Sequence, residues 1–329
     1  MTDKKDNEPP CSNETIEQFK QRGFFIGPQI NYGSFSKVYR GKMKDLQSKK
    51  ETDIAVKVID LDKTSLDYRN KFLPRELFTI RKIRHPSVVA VHDIFSVENK
   101  VFIFMDICDG GDILDYLKDH SAIPEAKAKK WFKQIAEGLR HIHLQGIAHR
   151  DLKSENVLID KQGNAKITDF GFARICYDPK TGKRLLSETY CGSAAYVAPE
   201  VLKGTPYNPM IADIWGLGCV LYVMVNNALP FDDSDMPKMV ERQQSKKWSF
   251  SHRVEKNLSP ELKDLITKML EPNLAKRLTM RTVLSHPWLT DTKLTDTKSD
   301  TRSEKKGPPG STASSDKKAT AASSTGSKK

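Results

Sequence analysis

The sequence has few features of a membrane or secreted protein. Its longest apolar run, residues 214–225, is well short of the roughly 18 residues that span a bilayer. The first ten residues are charged and contain two prolines, and they lack the apolar segment of a secretory signal. We therefore expect no membrane association, and we expect a cytoplasmic protein with access to the nucleus.

Cysteine is scarce and scattered. The five cysteines show neither C-x-x-C nor Cys/His metal spacing, so we expect free thiols and no zinc site. The net charge of +12 would suit nucleic acid, anionic lipid or nucleotide phosphate as a ligand. No aromatic platform or recognised nucleic-acid module accompanies the basic residues, so we expect no nucleic-acid partner.

Two polar segments flank the part of the chain able to form a core. Residues 1–23 are polar and predict a loose N-terminal extension. Residues 290–329 are rich in Ser, Thr, Lys, Ala and Gly, with Leu294 as their only large aliphatic residue, and predict a disordered tail. That tail is either a basic docking arm or a solvated appendage, and its interspersed charges favour the second.

Between the flanks, strands precede helices. Strands are predicted near Val38 and over 54–59, 88–95 and 101–105, and helices over 131–143 and from Pro260, capped by Ser259. The pattern predicts a small β-rich lobe joined to a larger helical lobe, with the break near the glycine pair at 110–111.

One lysine stands out within a buried strand. Both faces of the strand at 54–59 are apolar except at Lys57, so its ammonium needs either a negative partner or access to water at the strand edge. Glu76 borders the inward face of a predicted helix and is a candidate partner, although most helix glutamates are simply solvated.

The strongest signal is H-R-D-L-K-S-E-N at 149–156 followed by D-F-G at 169–171, which matches the protein kinase signature in residue type, order and interval. The chain thus resembles the eukaryotic serine/threonine protein kinases of the calmodulin-dependent-kinase group. The segments F-L-P-R-E at 72–76, C-G-S-A-A-Y at 191–196 and D-D-S-D at 232–235 most resemble the testis-specific serine/threonine kinases. That likeness implies a role in sperm development. The resemblance to protein kinases also implies their two-lobed α+β fold, with a small antiparallel β-rich N-lobe carrying one regulatory helix and a larger, mainly helical C-lobe. The implied boundaries are 24–105 for the N-lobe, 106–111 for a hinge and 112–289 for the C-lobe.

The resemblance implies ATP and Mg²⁺ as cofactors and assigns catalytic roles. Asp151 would be the base that accepts the substrate hydroxyl proton, Lys153 would neutralise the γ-phosphate, and Lys57, held by Glu76, would contact the α- and β-phosphates. Asn156 and Asp169 would be the metal ligands.

A larger set would bind the nucleotide. It comprises Ile30, Gly33, Val38, Ala55, Lys57, Glu76, Met105, Asp106, Cys108, Asp112 and Glu155. The phosphate loop departs from the family pattern G-x-G-x-x-G, because Asn31 and Ser36 replace its outer glycines. We expect a stiffer hairpin there and a changed ATP affinity.

Other residues would switch the enzyme or support its site. Thr189 aligns with the activating phosphosite, where a phosphate would pair with Arg150 and Arg174. Ser193 would bond Asp151 and Lys153, Asp213 would anchor the catalytic loop, and Glu200 would pair with Arg277.

The resemblance also implies partners. These are protein substrates with serine or threonine, with basic residues before the target favoured by Asp112 and Glu155, and either an upstream activating kinase or self-phosphorylation. We expect a monomer. The alternative is a pseudokinase that keeps the fold as a binding or scaffold module, but the full set of catalytic residues argues against it.

Overall fold

The computed structural model describes residues 9–33, 35–178 and 180–290. Within them the strands are β1 (Phe24–Tyr32), β2 (Ser36–Lys44), β3 (Glu51–Asp60), β4 (Val91–Val97), β5 (Lys100–Asp106), β6 (Ile147–Ala148), β7 (Val157–Ile159), β8 (Ala165–Ile167) and β9 (Arg174–Ile175). The helices are α1 (Asn13–Gln21), α2 (Leu73–Lys82), α3 (Ile113–His120), α4 (Glu125–Leu144), α5 (Pro199–Leu202), α6 (Pro209–Asn226), α7 (Met236–Gln244), α8 (His252–Glu255), α9 (Pro260–Met269), α10 (Met280–Leu284) and α11 (Pro287–Thr290).

The N-lobe is built on one antiparallel sheet with the order β1-β2-β3-β5-β4. The register places Val38 opposite Lys57 and Ala55 opposite Met105. The predicted strand at 88–95 begins only at Val91, because Val88 and Val89 instead pair with Ile167 of the C-lobe. The two-lobed α+β prediction is confirmed.

The prediction that residues up to 23 are loose is wrong for residues 12–21. Ser12 caps α1 by accepting the Thr15 N–H, and Glu98 in the turn between β4 and β5 accepts from both hydroxyls. Phe19 is 4% exposed and its ring lies 5.0 Å from that of Phe102. A mostly polar helix was missed because its few buried side chains form their contacts with distant strands.

The C-lobe forms around two long helices. The 131–143 prediction lies within α4, whose buried face includes Trp131, Phe132 and Leu139. The Ser259 cap is confirmed, since its hydroxyl accepts the Leu262 N–H at the start of α9. Helix α6 is long and apolar enough to cross a bilayer by length and composition, but 83% of it is buried inside the fold, as in a core helix.

The predicted tail from residue 290 lies, apart from Thr290, outside the described residues. Thr290 itself ends α11, so the helical C-lobe extends one residue beyond the predicted boundary.

Replacing Phe19 with Ala should lower the free energy of unfolding by about 3 kcal/mol, because it leaves a cavity among the rings of the N-lobe. Urea denaturation followed by fluorescence measures the loss. Phe25→Ala, at a side chain that is 37% exposed, is the matched control and should cost much less. Equal losses in the two variants would show that α1 does not pack as described.

Candidate active site

A half-buried ammonium joins the two lobes. Lys57 Nζ on β3 lies 3.2 Å from Glu76 Oε1 on α2 and 3.8 Å from Asp169 Oδ1 in the C-lobe. Burial alone would lower the pKa of Lys57, but the two carboxylates outweigh burial and hold that pKa above its ordinary value. Lys57 in turn lowers the pKa of Asp169. The structure therefore brings together three residues that lie far apart in the sequence.

Helix α2 presents Glu76 because its buried stripe points at the sheet. Leu73, Glu76, Thr79 and Ile80 are its buried residues, and Pro74 occupies the first turn, where a missing N–H costs little. Glu76 is 2% exposed and accepts from Lys57 and from the Tyr68 hydroxyl, at 3.1 Å. The alternative of a solvated glutamate is excluded.

The Asp151 carboxylate is surrounded by donors. Asn156 Nδ2 donates to Oδ2 at 3.1 Å, and both the backbone N–H and the hydroxyl of Ser193 donate to Oδ1. Lys153 Nζ lies 3.4 Å from Oδ2 and donates to the Ser193 hydroxyl. The expected contacts of Ser193 are therefore present. The catalytic loop (residues 149–156) and the segment that contains Ser193 meet at the Asp151 carboxylate.

Asp213 at the start of α6 holds the catalytic loop. Its carboxylate accepts the backbone N–H groups of His149 and Arg150 at 2.9 and 2.8 Å. Arg150 has φ +67°, a conformation that costs a non-glycine residue energy and needs such support. His149 packs edge-on against Phe170, with the ring centroids 5.2 Å apart. The scaffolding contacts expected of Asp213 are present.

Backbone hydrogen bonds join the catalytic loop to the segment that carries Asp169. Thr168 N–H donates to the Asn156 carbonyl, and the His149 ring bonds the Thr168 carbonyl, both at 3.0 Å. Asp169 has φ +62° and accepts from the Gly171 N–H. The two halves of the site are thus fixed relative to one another.

These oxygen donors fit a hard divalent cation. Asn156 turns its Nδ2 to Asp151, so its carbonyl oxygen faces away from that residue, and 46% of the Asp169 side chain is exposed. The described part of the chain holds no cluster of three or more His, Cys, Asp or Glu side chains that would bind a metal by protein ligands alone. Mg²⁺ commonly takes only one or two protein oxygens beside water and phosphate.

The predicted adenine-site residues lie on neighbouring strands and in the hinge. The register sets Val38 beside Lys57 and Ala55 beside Met105, and Ala55 is buried. Cys108 is half-buried, and burial raises its pKa to about 12. Ile30 on β1 is 49% exposed, so its side chain depends on a ligand for burial.

The side chain of hinge residue Asp106 has a structural role. Burial would raise its pKa, but hydrogen bonds from His92 and Lys166 outweigh burial and lower the pKa to about 2. Gly110 N–H and Ile159 N–H form backbone bonds that tie the end of the hinge to β7. We therefore expect the backbone of Asp106, and not its side chain, to contact the nucleotide.

Strands β1 and β2 stay paired next to the changed phosphate loop, with register shifts between Ile26 and Gln29 and between Gln29 and Asn31. Asn31 pairs with Val38 across β1 and β2, and Gly33 N–H donates to the Ser36 carbonyl at 2.7 Å. Neither Asn31 nor Ser36 has a positive φ, so neither position requires glycine for backbone reasons. The structure therefore shows no backbone strain at Asn31 or Ser36, and the stiffer hairpin and changed ATP affinity stay predictions.

Two acids lie where α3 and the catalytic loop approach each other. Asp112 caps α3 by accepting the Asp115 N–H, and burial raises its pKa, with Glu155 adding to the rise. Glu155 Oε2 is buried and has no hydrogen-bond partner among the described residues. A buried, unpaired carboxylate oxygen is costly and is a candidate site for a cationic ligand.

The segment around Thr189 contains a contact that the sequence did not predict. Thr189 is exposed, and its carbonyl accepts from the Tyr207 hydroxyl. In this unphosphorylated chain Arg150 and Arg174, the arginines expected to receive its phosphate, donate to the hydroxyl of fully buried Ser187 at 3.1 and 3.3 Å. No sequence signal distinguishes Ser187 from the neighbouring hydroxyls.

Beyond this segment, the Glu200–Arg277 pair is present as predicted. Arg277 donates two hydrogen bonds to the Glu200 carboxylate, at 2.6 and 2.8 Å, and its guanidinium is fully buried. The Arg277 guanidinium also lies 5.0 Å from the Trp215 ring. This bidentate pair fixes α5 against the body of the C-lobe.

Comparison with known proteins agrees with this geometry. Residues 25–289 match the protein kinase domain family. Testis-specific serine/threonine-protein kinase 2 of Mus musculus is 40% identical over 271 residues, which cover 82% of this chain and 74% of that protein. Testis-specific serine/threonine-protein kinase 3 of Homo sapiens is 41% identical over 272 residues, covering 82% and 97%. Serine/threonine-protein kinase cds1 of Schizosaccharomyces pombe is 38% identical over 243 residues, covering 71% and 52%.

Proposed function

Because the chain belongs to the protein kinase domain family, we propose that it transfers the γ-phosphoryl group of ATP to serine and threonine hydroxyls of protein substrates. The observation that carries this proposal is the convergence of Lys57, Glu76 and Asp169 beside a catalytic loop that presents Asp151 and Asn156. Lys153 in H-R-D-L-K supports the serine/threonine class.

Each residue has a role that its surroundings support. Lys57, oriented by Glu76, binds the α- and β-phosphate oxygens. Asp151 orients the substrate hydroxyl and accepts its proton as the new P–O bond forms and the bond to the ADP oxygen breaks, and Lys153 balances charge on the transferred group. Asn156 and Asp169 would hold Mg²⁺, which when bound neutralises charge on the phosphate oxygens.

The remaining nucleotide contacts come from the N-lobe and the hinge. Val38 and Ala55 sandwich the adenine, with Met105 at the rear of the pocket, while backbone groups of 106–108 meet the base edge. Ile30 and Gly33 cover the nucleotide from the phosphate-loop side. Asp112 and Glu155 lie toward the ribose and the incoming peptide.

The two acids also point to a substrate preference. The buried oxygen of Glu155, which has no partner in the part of the chain that the structure describes, would be satisfied by a guanidinium or ammonium of the peptide, and Asp112 adds negative charge beside it. We therefore propose substrates with basic residues before the target serine or threonine.

Thr189 is the proposed switch. A phosphate on this exposed hydroxyl would bring a charge of about −1.5 to −2 to a segment already adjoining Arg150 and Arg174. Both guanidiniums can exchange the neutral Ser187 hydroxyl for this stronger partner. Since Arg150 directly precedes the base, ordering of the segment would reach Asp151. Either self-phosphorylation or an upstream kinase could supply the phosphate.

The biological setting is proposed from the named relatives. Their testis-specific names support a role in sperm development for this chain. We propose a monomeric protein of the cytoplasm that also reaches the nucleus.

Replacing Asp169 with Ala should reduce phosphate transfer to a basic serine peptide by at least about a thousandfold, because the main metal carboxylate is lost. Radiolabelled ATP measures the transfer, and thermal unfolding checks the fold. Asp119→Ala, at the exposed end of α3, is the control and should keep full activity. A folded parent protein that binds ATP without transferring phosphate would favour the pseudokinase alternative.

Thr189→Ala should lower kcat about tenfold or more in protein that is otherwise phosphorylated, since Arg150 and Arg174 lose their charged partner. Phosphosite mapping accompanies the rate measurement. Thr181→Ala, in the same segment and also exposed, is the matched control. Unchanged activity in Thr189→Ala would exclude this residue as the switch.

Glu155→Gln should raise KM for a peptide with arginines before the serine by about tenfold, while the KM for a matched peptide lacking them changes little. Steady-state kinetics on the two peptides separate these effects. Glu137→Gln, on the exposed face of α4, serves as the control. Equal changes for both peptides would contradict recognition of basic residues by Glu155.

A further inference from the structure

Tyr68 lies at the junction between the N-lobe sheet and α2. It opens a single π-helical turn, Tyr68–Phe72, that runs directly into α2. π-Helical turns are rare and are often found at functional sites. The turn brings a side chain eight residues before Glu76 back to that carboxylate, and the Tyr68 hydroxyl donates to Glu76 Oε2 at 3.1 Å.

The contact completes the coordination of a buried charge. Glu76 Oε1 receives Lys57 Nζ at 3.2 Å, and Oε2 receives the Tyr68 hydroxyl, so each oxygen of the carboxylate has a donor. The side chain of Glu76 is only 3% exposed. In such a place an oxygen without a donor carries a desolvation penalty, and the carboxylate becomes free to rotate away from the lysine.

The hydroxyl is suited to remain the donor. Burial and the neighbouring Glu76 raise the pKa of Tyr68, so the group stays protonated across the physiological range. A second negative charge beside Glu76 is thereby avoided.

The ring of Tyr68 reaches the phosphate loop. Its centroid lies 6.1 Å from that of Phe35, which stands between Gly33 and β2, with the planes tilted by 36°. The Phe35 carbonyl accepts the Asp60 N–H at the end of β3. One side chain therefore contacts both the carboxylate that orients Lys57 and the tip of the loop that would cover the phosphates.

We propose that Tyr68 is a positioning residue for ATP: its hydroxyl holds Glu76 in the orientation that aims Lys57, and its ring supports the phosphate loop through Phe35. This inference rests on the proposed function of the Lys57–Glu76 pair in nucleotide binding. The proposal gives the π-helical turn before α2 a role in nucleotide binding, although no residue of this turn belongs to the catalytic motifs.

The central experiment is Tyr68→Phe, which removes the hydroxyl and keeps the ring. We expect Kd and KM for ATP to rise about tenfold, the value of a hydrogen bond to a buried charge, while KM for the peptide stays within twofold. Hydrogen exchange of the protein without nucleotide should show faster exchange of the α2 amides around Glu76.

Two comparisons separate positioning from a general loss of stability. Tyr116→Phe removes a hydroxyl that accepts from Lys127 at 2.8 Å in the C-lobe, and it should change neither ATP binding nor α2 exchange. In a Glu76→Ala background, Tyr68→Phe should change the ATP Kd by less than twofold, because the hydroxyl has no carboxylate left to hold.

The outcomes of these experiments test the role of Tyr68 independently of the proposed kinase function. Unchanged ATP Kd and unchanged α2 exchange in Tyr68→Phe would overturn it, as would an equal loss in the parent and Glu76→Ala backgrounds. If the parent protein transfers no phosphate, the proposed function fails, and the exchange of the unliganded proteins still decides whether the hydroxyl holds Glu76.

Discussion

The structure depends first on the need of one half-buried ammonium for negative partners. Lys57 lies beside Glu76 on α2 and Asp169 in the C-lobe, so one ammonium group connects the sheet, the helix and the larger lobe. A buried ion pair is weak evidence for stability, because desolvation offsets much of its attraction. Its value here lies in orientation, since the hydrogen bond to Glu76 fixes the direction in which the Lys57 ammonium points.

A buried carboxylate, that of Asp213, fixes the conformation of the catalytic loop. Asp213 binds two consecutive N–H groups and so supports the left-handed backbone at Arg150. The side chain of that same arginine reaches Ser187. Arg150, the residue before the proposed base, therefore connects the loop that carries the base to the segment around Thr189.

Local signals accounted for much of the fold and the centre of the site. The motif at 149–156 and the D-F-G at 169–171 identified the residues that meet in the cleft, and the Ser259 cap located the start of α9. Helix α1 escaped prediction because Phe19 packs against strands some eighty residues away. Tyr68 escaped because a π-helical turn alters the helical spacing on which periodicity arguments rest.

The sequence by itself determined which chemical groups are available, their order and the helices whose caps and buried stripes are local, because those properties depend on neighbours a few residues apart. Tertiary structure alone decided the partners: that Glu76 is shared by Lys57 and Tyr68, that Ser187 and not Thr189 meets Arg150 and Arg174, and that no donor from the described ranges reaches one oxygen of Glu155. Such contacts join residues from different elements, and only the packing of those elements brings them within hydrogen-bonding distance.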